Sequence, residues 1–346
     1  MGAQEQEGDV IDEPEESPEL WTRLERLRQI FLGREDAKGP APAYWKDGGD
    51  LAAYDATFAR RIAVKWDRVL DSVEEDLRAR GPRTWFDWGC GSGVASERLL
   101  ERGLLDKSLL WDHSALARGW TAEKLKTLGV SDVEALDRDR VSYAGSGVLL
   151  SHVLNEMSLG DRGALLNRLG TADAIIWVEA GSKATSRRLS ECRNILLRRN
   201  PEFKVWSPCP HAGACGMITQ DERANDWCHF FADAPGEFHQ SAFWREFSSK
   251  MGIDLRSLPF STIVLSKQAS VGADISDRHR IVGTPRVYKG YLKLQTCHGR
   301  EGVGEYNLPQ RADKQLFKQL SDPPSMAIAS FELDAEKKKI TAGKVD

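Results

Sequence analysis

The feature that most constrains the fold is a run of glycines that directly follows an apolar strand and precedes a helix. Residues 83–93, "RTWFDWGCGSG", carry these glycines at three alternate positions. The later segments "SLLWDHS", "GVLLSHVLNEM" and "DAIIWVEAG" add further buried strands, separated by helical runs. Because parallel strands need a long crossover between them, this alternation predicts an α/β fold with a parallel sheet covered by helices on both faces.

The glycine loop also indicates the kind of ligand. Glycines let the chain turn tightly and let a cofactor approach the main chain. The acid at the strand end, Asp87, disfavours the pyrophosphate of a dinucleotide but suits the cationic groups of S-adenosylmethionine (SAM). Asp112, after the second strand, is placed to bind two ribose hydroxyls. The predicted cofactor-binding residues are Asp87, Gly89, Gly91, Gly93 and Asp112. This set resembles the first two motifs of class I SAM-dependent methyltransferases; a glycine-rich turn in an unrelated α/β domain is the alternative.

Whether methyl transfer occurs stays open at this stage. Enzymes of the resembled superfamily that methylate base amino groups usually carry an Asn/Asp-Pro-Pro-aromatic turn after the fourth strand, where this chain has "SHVLNEM". Asn155 and Glu156 are the candidate catalytic residues at that edge, although they are also suited to capping the next helix. The predicted activity is therefore conditional: the chain is a SAM-dependent RNA methyltransferase if active, and otherwise a non-catalytic assembly factor.

A second unusual segment is the loop "SPCPHAGACGMITQDERANDWCHFF", residues 207–231. Its cysteines, Cys209, Cys215 and Cys228, lack the C-x2-C spacing of a zinc finger and the tight triplet of radical SAM enzymes. Candidates for a fourth ligand are His211, His229 and the much later Cys297. A thiolate set of this kind suits either Zn²⁺ or an iron–sulfur cluster, and spacing alone does not decide between them. Three unconnected buried thiols are the remaining alternative.

The segments "SPCPHAGACGM", "DWCHF" and "KGYLKLQTC" closely resemble the methyltransferase-like proteins of small-subunit ribosome assembly, best known from mitochondria and with bacterial relatives. The resemblance covers most of residues 43–300. It implies a [4Fe–4S] cluster on Cys209, Cys215, Cys228 and Cys297, association with small-subunit ribosomal RNA, and weak or lost methyl transfer in many members. His211 and His229 then become candidates for hydrogen bonds around the cluster.

Charge is compatible with an RNA partner. The net charge is −4, but residues 1–20 carry eight acids and no base, so the rest of the chain is mildly basic. Two basic groups flank the cysteine loop and predict a phosphate-binding surface, with an ordinary solvated face as the alternative. They are Arg187, Arg188, Arg193, Arg198 and Arg199 before the loop, and Arg278, Arg280, Arg286, Lys289 and Lys293 after it. A third group, Arg60, Arg61, Lys65 and Arg68, is predicted to be a solvated helix face.

The predicted organisation is a class I SAM-methyltransferase (Rossmann-like) sheet with an N-terminal helical extension and a Cys-rich iron–sulfur insertion. Its parts are an acidic disordered tail (1–20), helices (21–80), the SAM-binding domain (81–200), the Cys-rich region with the remaining sheet (201–300) and a C-terminal tail (301–346) that is loose from Ser321. The helical part includes one helix from Leu51 to about Arg80, and residues 280–297 are predicted to form a hairpin. The N-terminal segment lacks the apolar stretch of a signal peptide and the Arg-rich character of a transit peptide. We expect a cytoplasmic monomer that contacts no membrane. The predicted function is an rRNA-binding small-subunit assembly or translation factor; the alternative is an active rRNA methyltransferase with a structural zinc or Fe–S site.

Overall fold

The computed structural model of the chain describes residues 13–33, 43–137, 142–334, 336 and 338–346. The helices of this part are α1 (Pro18–Leu32), α2 (Gly48–Ala56), α3 (Phe58–Asp71), α4 (Glu74–Arg80), α5 (Val94–Glu101), α6 (Ala115–Thr127), α7 (Leu159–Leu169), α8 (Lys183–Arg199), α9 (Gly216–Thr219), α10 (Glu237–Gln240), α11 (Ala242–Met251) and α12 (Lys314–Ser321). Most of the predicted acidic tail, residues 1–12, lies outside the described residues; its last residues already belong to α1.

The strands of the described residues form one open sheet and one barrel. They are β1 (Thr84–Trp88), β2 (Lys107–Trp111), β3 (Asp132–Ala135), β4 (Gly147–Ser151), β5 (Ala174–Ala180), β6 (Lys204–Ser207), β7 (Phe230–Ala232), β8 (Leu258–Ser266), β9 (His279–Tyr288), β10 (Tyr291–His298), β11 (Gly302–Pro309), β12 (Ile328–Asp334) and β13 (Lys339–Val345). The first eight strands build the open sheet and the last five close the barrel.

The open sheet has the order β3-β2-β1-β4-β5-β8-β6, and β7 pairs with β8. Strands β1 to β5 are parallel, whereas β8 runs antiparallel to both β5 and β6. The strand order reverses between β1 and β4, which is where open α/β sheets bind ligands at the carboxyl ends of their strands. The predicted α/β fold with a Rossmann-like sheet is therefore confirmed.

The core explains why these segments become central strands. Strands β1, β4 and β5 are buried along nearly their whole length, as expected for a sheet covered on both faces. Neighbouring residues point to opposite faces: Trp85 packs in one hydrophobic cluster and Phe86 in the other. Ile175 and Ile176 divide in the same way. The period of two residues thus supplies both layers of the core.

The N-terminal extension is helical as predicted, but the single helix expected from Leu51 to about Arg80 is three helices. The first break falls at Thr57, whose backbone leaves the helical region at φ −131° and ψ −80° while its hydroxyl donates to the carbonyl of Ala53. The second break lies at residues 72–73, between α3 and α4. The sequence lacks Gly or Pro at either point, so nothing in its pattern marks these breaks.

The predicted hairpin over residues 280–297 is confirmed as β9 and β10, but the prediction that the chain is loose from Ser321 onward is wrong. Residues beyond Ser321 form β12 and β13, which close the barrel with β9, β10 and β11. Their small core includes Leu292, Leu308, Leu316 and Ile340. The strands bury only alternate residues and are bounded by lysines, acids and prolines, so their apolar signal is weak before the barrel closes. Within the described ranges, every helix is too short or too polar to span a bilayer.

Candidate functional site

A cleft of about 600 Å³ opens at the carboxyl ends of β1, β2 and β4, where the strand order reverses. Its size is in the range of pockets that enclose a cofactor-sized ligand. The glycine loop forms one wall and the N-terminal extension forms another. Lining residues used below are Tyr44, Arg61, Lys65, Gly89, Gly91, Asp112, His152, Asn155 and Glu156. The sheet thus supplies the floor, and helices that precede it cover the opening.

The glycine loop requires glycine at two positions. Gly89 has φ +74°, and a Cβ there would lie 2.8 Å from Cγ1 of Val153. Gly93 has φ +83°, and a Cβ there would lie 2.7 Å from Cγ2 of Thr121. Both the left-handed backbone and the close packing exclude larger residues, because non-glycine residues rarely adopt such angles. The loop is therefore a fixed shape that exposes main-chain atoms to the cleft.

Asp112 lies where the sequence predicted, at the end of β2 and against the glycine loop. Its Oδ2 accepts from the Gly91 amide at 3.0 Å, and its Oδ1 accepts from the Ser114 amide at 2.8 Å. The residue lines the cleft while its overall exposure is only 3%. Two main-chain donors thus fix the orientation of the carboxylate and leave it able to accept further hydrogen bonds from a ligand diol.

Asp87 and Gly93 differ from the other predicted cofactor residues, because they do not line the cleft. Asp87 lies at the end of β1, beneath the loop. Its Oδ2 accepts from the Ser96 hydroxyl at 2.7 Å, which ties the end of β1 to the first turn of α5. Burial raises the pKa of Asp87 to about 6. Its Oδ1 is buried without a hydrogen-bond partner among the described residues. Asp87 therefore supports the loop, and its role as a ligand for the SAM amine stays a prediction.

The candidate catalytic residues do line the cleft. Asn155 Oδ1 accepts from the Thr185 hydroxyl and from Nη1 of Arg188, each at 3.1 Å. Glu156 accepts from the Tyr44 hydroxyl at 3.3 Å. Burial raises the pKa of Tyr44 well above its ordinary value, and the negative charge of Glu156 adds to this. Both candidates are therefore held by other side chains, and their part in catalysis stays a prediction.

Two cations of the cleft were missed by the sequence analysis, which predicted a solvated face for α3. Lys65 is only 5% exposed and lines the cleft; burial first, and the charge of Arg61 second, lower its pKa to about 7. Arg61 also lines the cleft, and burial lowers its pKa to about 10. Lys65 follows Ile62 by three residues and so shares its side of α3, but the sequence does not show that the sheet covers that side.

His152 is a third cleft residue with an unusual environment. It follows β4 directly and has φ +56°, in the left-handed region that non-glycine residues seldom occupy. Burial lowers the pKa of its imidazole well below the ordinary value, so the ring is neutral at pH 7. Its Nε2 has no hydrogen-bond partner in the described part of the chain. Backbone strain of this kind concentrates at functional sites, which agrees with its position beside the cleft.

A second, much smaller cavity holds all four predicted cysteine ligands. We call it the thiol cavity; its volume is about 20 Å³. Cys209 and Cys215 come from the loop after β6, Cys228 from the segment before β7, and Cys297 from barrel strand β10. The complete lining is Pro208, Cys209, His211, Cys215, Met217, Cys228, Phe230, Arg280, Val282, Cys297 and Val303. The fold therefore joins thiols that are widely separated in sequence.

Two buried guanidinium groups accompany these thiols. Arg193 is 2% exposed, and its Nε donates to Sγ of Cys209 at 3.2 Å. Arg280 is 7% exposed, and its Nε donates to the carbonyl of Pro208 at 2.9 Å. Burial disfavours the charge of Arg193, but the nearby sulfurs of Cys209 and Cys215 hold its pKa above the ordinary value. A buried cation pair beside four thiols suits a site that becomes strongly negative when the thiols ionise.

Burial disfavours ionisation of three of these thiols. Burial raises the pKa of Cys215, Cys228 and Cys297, and the other sulfurs of the cavity add to the effect. None of the four cysteines forms a disulfide. Among the described residues, no group of three or more His, Cys, Asp or Glu side chains is arranged to hold a single metal ion. The four cysteines nevertheless line one cavity.

The two histidines of the cysteine loop differ. His211 lines the thiol cavity, and its Nε2 lies 3.4 Å from Sγ of Cys297. His229 stacks on Trp227, with ring centroids 4.9 Å apart, and its Nδ1 lies 3.1 Å from the Trp227 carbonyl oxygen. His229 does not line the cavity, whereas Cys297 does. Of the three candidate fourth ligands, Cys297 and His211 therefore lie at the cavity and His229 does not.

The predicted phosphate-binding surface on α8 is wrong in part, because several of its cations face inward. Nη1 of Arg187 donates to the carbonyls of Met217 and Asp226, and Arg193 reaches the thiol cavity. Of the group after the loop, Arg280 is buried. These side chains hold the cysteine loop against α8 and the barrel. The exposed cations of the second group lie at the tip of the β9–β10 hairpin.

Comparisons with solved structures find proteins of the methyltransferase class. A proposed RNA methyltransferase from Pyrococcus horikoshii is 12% identical, with a TM-score of 0.37, and the match covers 70% of this chain and 99% of that one. The plantazolicin methyltransferase BamL gives 11% identity and a TM-score of 0.39 over 73% of this chain and 100% of its own. Magnesium protoporphyrin IX methyltransferase from Synechocystis is 12% identical, with a TM-score of 0.38, and the match covers 71% of this chain and 100% of that one.

A search of curated proteins finds no significant match. A family model is more informative: the model described as mitochondrial small ribosomal subunit Rsm22 matches residues 51–320. That match spans the cleft, the thiol cavity and most of the barrel strands. The Rossmann-like sheet and the four cysteines thus occur within one matched segment, and the chain belongs to the Rsm22 family.

Proposed function

We propose that this protein is an assembly or translation factor of the small ribosomal subunit that binds ribosomal RNA. In this proposal the cleft binds SAM, and the thiol cavity holds a [4Fe–4S] cluster on Cys209, Cys215, Cys228 and Cys297. The supporting observation is that four cysteines from three separate segments line one cavity in a chain of the Rsm22 family. A role on the small subunit agrees with the description of that family.

The donor set fits a cluster in its chemistry. Four cysteine thiolates are the usual ligands of [4Fe–4S], and an oxidised cubane with four thiolates is a dianion overall. Arg193 and Arg280 supply two buried positive charges at the same place. Their hydrogen bonds to Cys209 and to the Pro208 carbonyl keep those charges in position without a carboxylate. When bound, the cluster would supply cross-links between the loop, the sheet and the barrel.

A cluster is preferred to one zinc ion because of where His229 lies. Around a single zinc, four donors lie at about 2.0–2.3 Å from one metal, whereas in a cubane each thiolate ligates its own iron. His229, which the zinc alternative needs in place of Cys297, is turned toward Trp227. These contacts support the cluster.

The test is the metal content of protein purified without oxygen. We expect about four irons and a broad absorbance near 400 nm, as for a cubane. Cys297→Ser should lower the iron content strongly, whereas Cys192→Ala, which removes a buried thiol of α8 outside the cavity, should leave it unchanged. One zinc, no colour and an unaffected Cys297→Ser variant would contradict the proposal.

Binding of SAM is supported by the cleft itself. Its glycine loop has the required shape, Asp112 presents an oriented carboxylate, and Lys65 and Arg61 offer positive charge for an anionic group. Calorimetry with SAM or S-adenosylhomocysteine (SAH) tests this point without an acceptor substrate. No measurable affinity for either nucleoside would contradict the cofactor part of the proposal.

An active rRNA methyltransferase is the second candidate. It is favoured by Asn155 and Glu156, which both line the cleft at the carboxyl end of β4. Under the assembly-factor proposal, Asp112→Ala leaves association with the small subunit nearly intact. Under the methyltransferase proposal, it abolishes a modified nucleotide of the small-subunit RNA. A deletion strain that loses no methyl mark would exclude this second candidate.

A further inference from the structure

The C-terminal barrel has a recognisable strand order. Around the barrel the strands run β9-β10-β11-β13-β12 and close back on β9. Strands β11 and β13 are parallel, the other pairs are antiparallel, and α12 lies in the chain between β11 and β12. This is the strand order and helix position of the oligonucleotide/oligosaccharide-binding (OB) fold. Such barrels bind ligands on the face of their second and third strands and on adjoining loops.

In this protein, the corresponding face belongs to β10 and β11, and its own chain covers one half of it. At one end, Cys297 and its register partner Val303 line the thiol cavity beneath the cysteine loop. In the middle, Nε2 of Gln295 donates to Oδ2 of Asp226 at 2.8 Å. These contacts bury that half against the cysteine loop. Any ligand of the face must therefore use the opposite end, at the tip of the β9–β10 hairpin.

Exposed aromatic rings occupy that hairpin end. Tyr288 and Tyr291 are 43% and 40% exposed, and they stack with centroids 4.8 Å apart and planes 11° from parallel. Their neighbour Val287 is 52% exposed. The turn between the strands consists of Lys289 and Gly290 only, so the hairpin is tight. A solvent-exposed pair of stacked rings offers a flat outer face on which an unpaired base stacks.

The charges around these rings are complementary to phosphate. Arg286 and Lys293 face each other across the two strands, and Lys289 is exposed at the turn. Arg286 and Lys293 both bridge to Glu305, at 2.7 and 2.6 Å. Arg286 and Lys293 thus share one carboxylate, and Lys289 adds a third cation, which leaves the hairpin end positive. Aromatic faces next to a surplus of cations are typical of surfaces that bind single-stranded nucleic acid.

We propose that the hairpin end of the barrel is a stacking platform for single-stranded RNA, with Tyr288 and Tyr291 holding bases and Arg286, Lys289 and Lys293 holding phosphates. The inference rests on the proposed function, since it names the surface by which such a factor contacts RNA. It also assigns the predicted phosphate contacts to this surface, because several arginines of α8 face inward. Glu305 moderates the affinity because a phosphate must compete with it for both cations.

The test measures the affinity of the full-length protein for a fluorescein-labelled oligouridine of about 12 nucleotides by fluorescence anisotropy. Tyr288→Ala/Tyr291→Ala should weaken binding about tenfold or more, and Tyr288→Phe/Tyr291→Phe should retain it because the rings remain. Glu305→Gln should strengthen binding. Leu128→Ala, at an exposed residue after α6, is the matched control and should have no effect.

The charged residues have their own measurable effect. Arg286→Gln/Lys293→Gln should reduce the slope of log affinity against log salt by roughly one to two, since each phosphate contact contributes about one ion. An RNA affinity that is the same in wild type and the tyrosine-to-alanine variant overturns the platform. An RNA affinity that Glu305→Gln does not raise overturns the role given to the cations.

Two further measurements separate a failure of the stacking platform from a failure of the proposed function. The same variants are sedimented with purified small ribosomal subunits, and their iron content is measured. Co-sedimentation that survives the loss of both tyrosines, together with unchanged RNA affinity, removes the platform and leaves the assembly-factor proposal standing. Co-sedimentation lost while RNA affinity is unchanged overturns the platform and assigns the hairpin to a protein of the subunit. Wild-type protein that does not sediment with subunits contradicts the proposed function.

Discussion

The cleft and the thiol cavity are built in opposite ways. The cleft is wide, about 600 Å³, and its central wall comes from one continuous strand–loop–helix segment. The thiol cavity is about 20 Å³, and its four sulfurs come from three segments that meet only in the tertiary structure. One site is preformed by local backbone shape, and the other depends on long-range packing.

This difference indicates that the thiol cavity helps to hold the fold together, whereas the cleft depends on a fold that has already formed. The glycine loop is fixed by the backbone angles of its own turn and by a hydrogen bond to Asp112 at the end of the adjacent strand, so a ligand in the cleft adds to a finished structure. The thiol cavity joins the cysteine loop, the open sheet and the barrel, so a metal centre there would stabilise their assembly. We therefore expect the two sites to respond independently to mutation.

The largest effect is expected for Cys228→Ser. We predict loss of most bound iron and a melting temperature lower by roughly 10 °C, because a ligand-stabilised junction is lost. The affinity for SAH should remain close to the wild-type value. Metal analysis, thermal unfolding and calorimetry on one preparation measure all three, with Cys192→Ala as the control. A Cys228→Ser variant that keeps its iron would contradict the role of the thiol cavity as a metal centre.

The reverse experiment is Asp112→Ala. It removes the oriented carboxylate at the end of β2, and we expect the affinity for SAH to fall about 10- to 100-fold, the effect of losing hydrogen bonds to a charged group. Iron content should not change. Ser114→Ala is a milder companion change, because it leaves the carboxylate in place. Loss of iron in the Asp112 variant would show that the two sites are coupled.

A smaller effect is expected for Lys65→Met. If its ammonium group holds the carboxylate of the cofactor, the affinity for SAH falls about tenfold, and methylthioadenosine, which lacks that carboxylate, binds unchanged. The pKa of Lys65 is about 7 in the free protein, so the wild type should bind SAH more tightly at pH 6 than at pH 8. The variant should lose this pH dependence. An SAH affinity independent of Lys65 would contradict the assignment.

The smallest effect is a pH dependence of the unfolding free energy that comes from Glu179, beneath the cleft. Oε1 of Glu179 accepts from the amides of Val153 and Leu154 at 3.0 Å and from Nε1 of Trp177 at 2.8 Å, while burial raises its pKa to about 7. Because the folded state binds this proton more tightly than the unfolded state does, Glu179 reduces stability as the pH rises from about 4.5 to 7.

Glu179→Gln keeps an acceptor oxygen and removes that titration. The difference in unfolding free energy between the variant and the wild type should therefore grow in favour of the variant across this pH range. Urea unfolding at several pH values measures it, with the exposed Glu191→Gln as the control. A difference that is constant with pH would contradict the raised pKa.

The parts of the fold that the sequence predicted are those with a strong local period. Strands β1, β4 and β5 are continuous apolar runs, and the glycine loop is a short-range pattern, so both were identified correctly. The barrel was missed because its strands bury only alternate residues, and their apolar character becomes clear only when five strands close. The breaks in the long N-terminal helix were missed because neither Gly nor Pro marks them.

The candidate sites divide in the same way. Asp112, Asn155 and Glu156 follow strands whose ends meet at one edge, so their place in the cleft was predictable. Lys65 was assigned to solvent because helical position alone does not tell which face of α3 the sheet will cover.

By itself, the sequence determined the α/β sheet, the shape of the glycine loop and the four cysteines, since these depend on residue type and near neighbours. The tertiary structure decided that Arg193 and Arg280 turn inward to the thiols and that Lys65 enters the cleft. It also decided that the last strands form a barrel whose hairpin end stays exposed. The physical reason is that burial of a long charged side chain is fixed by what packs over it, and those partners lie far away in the chain.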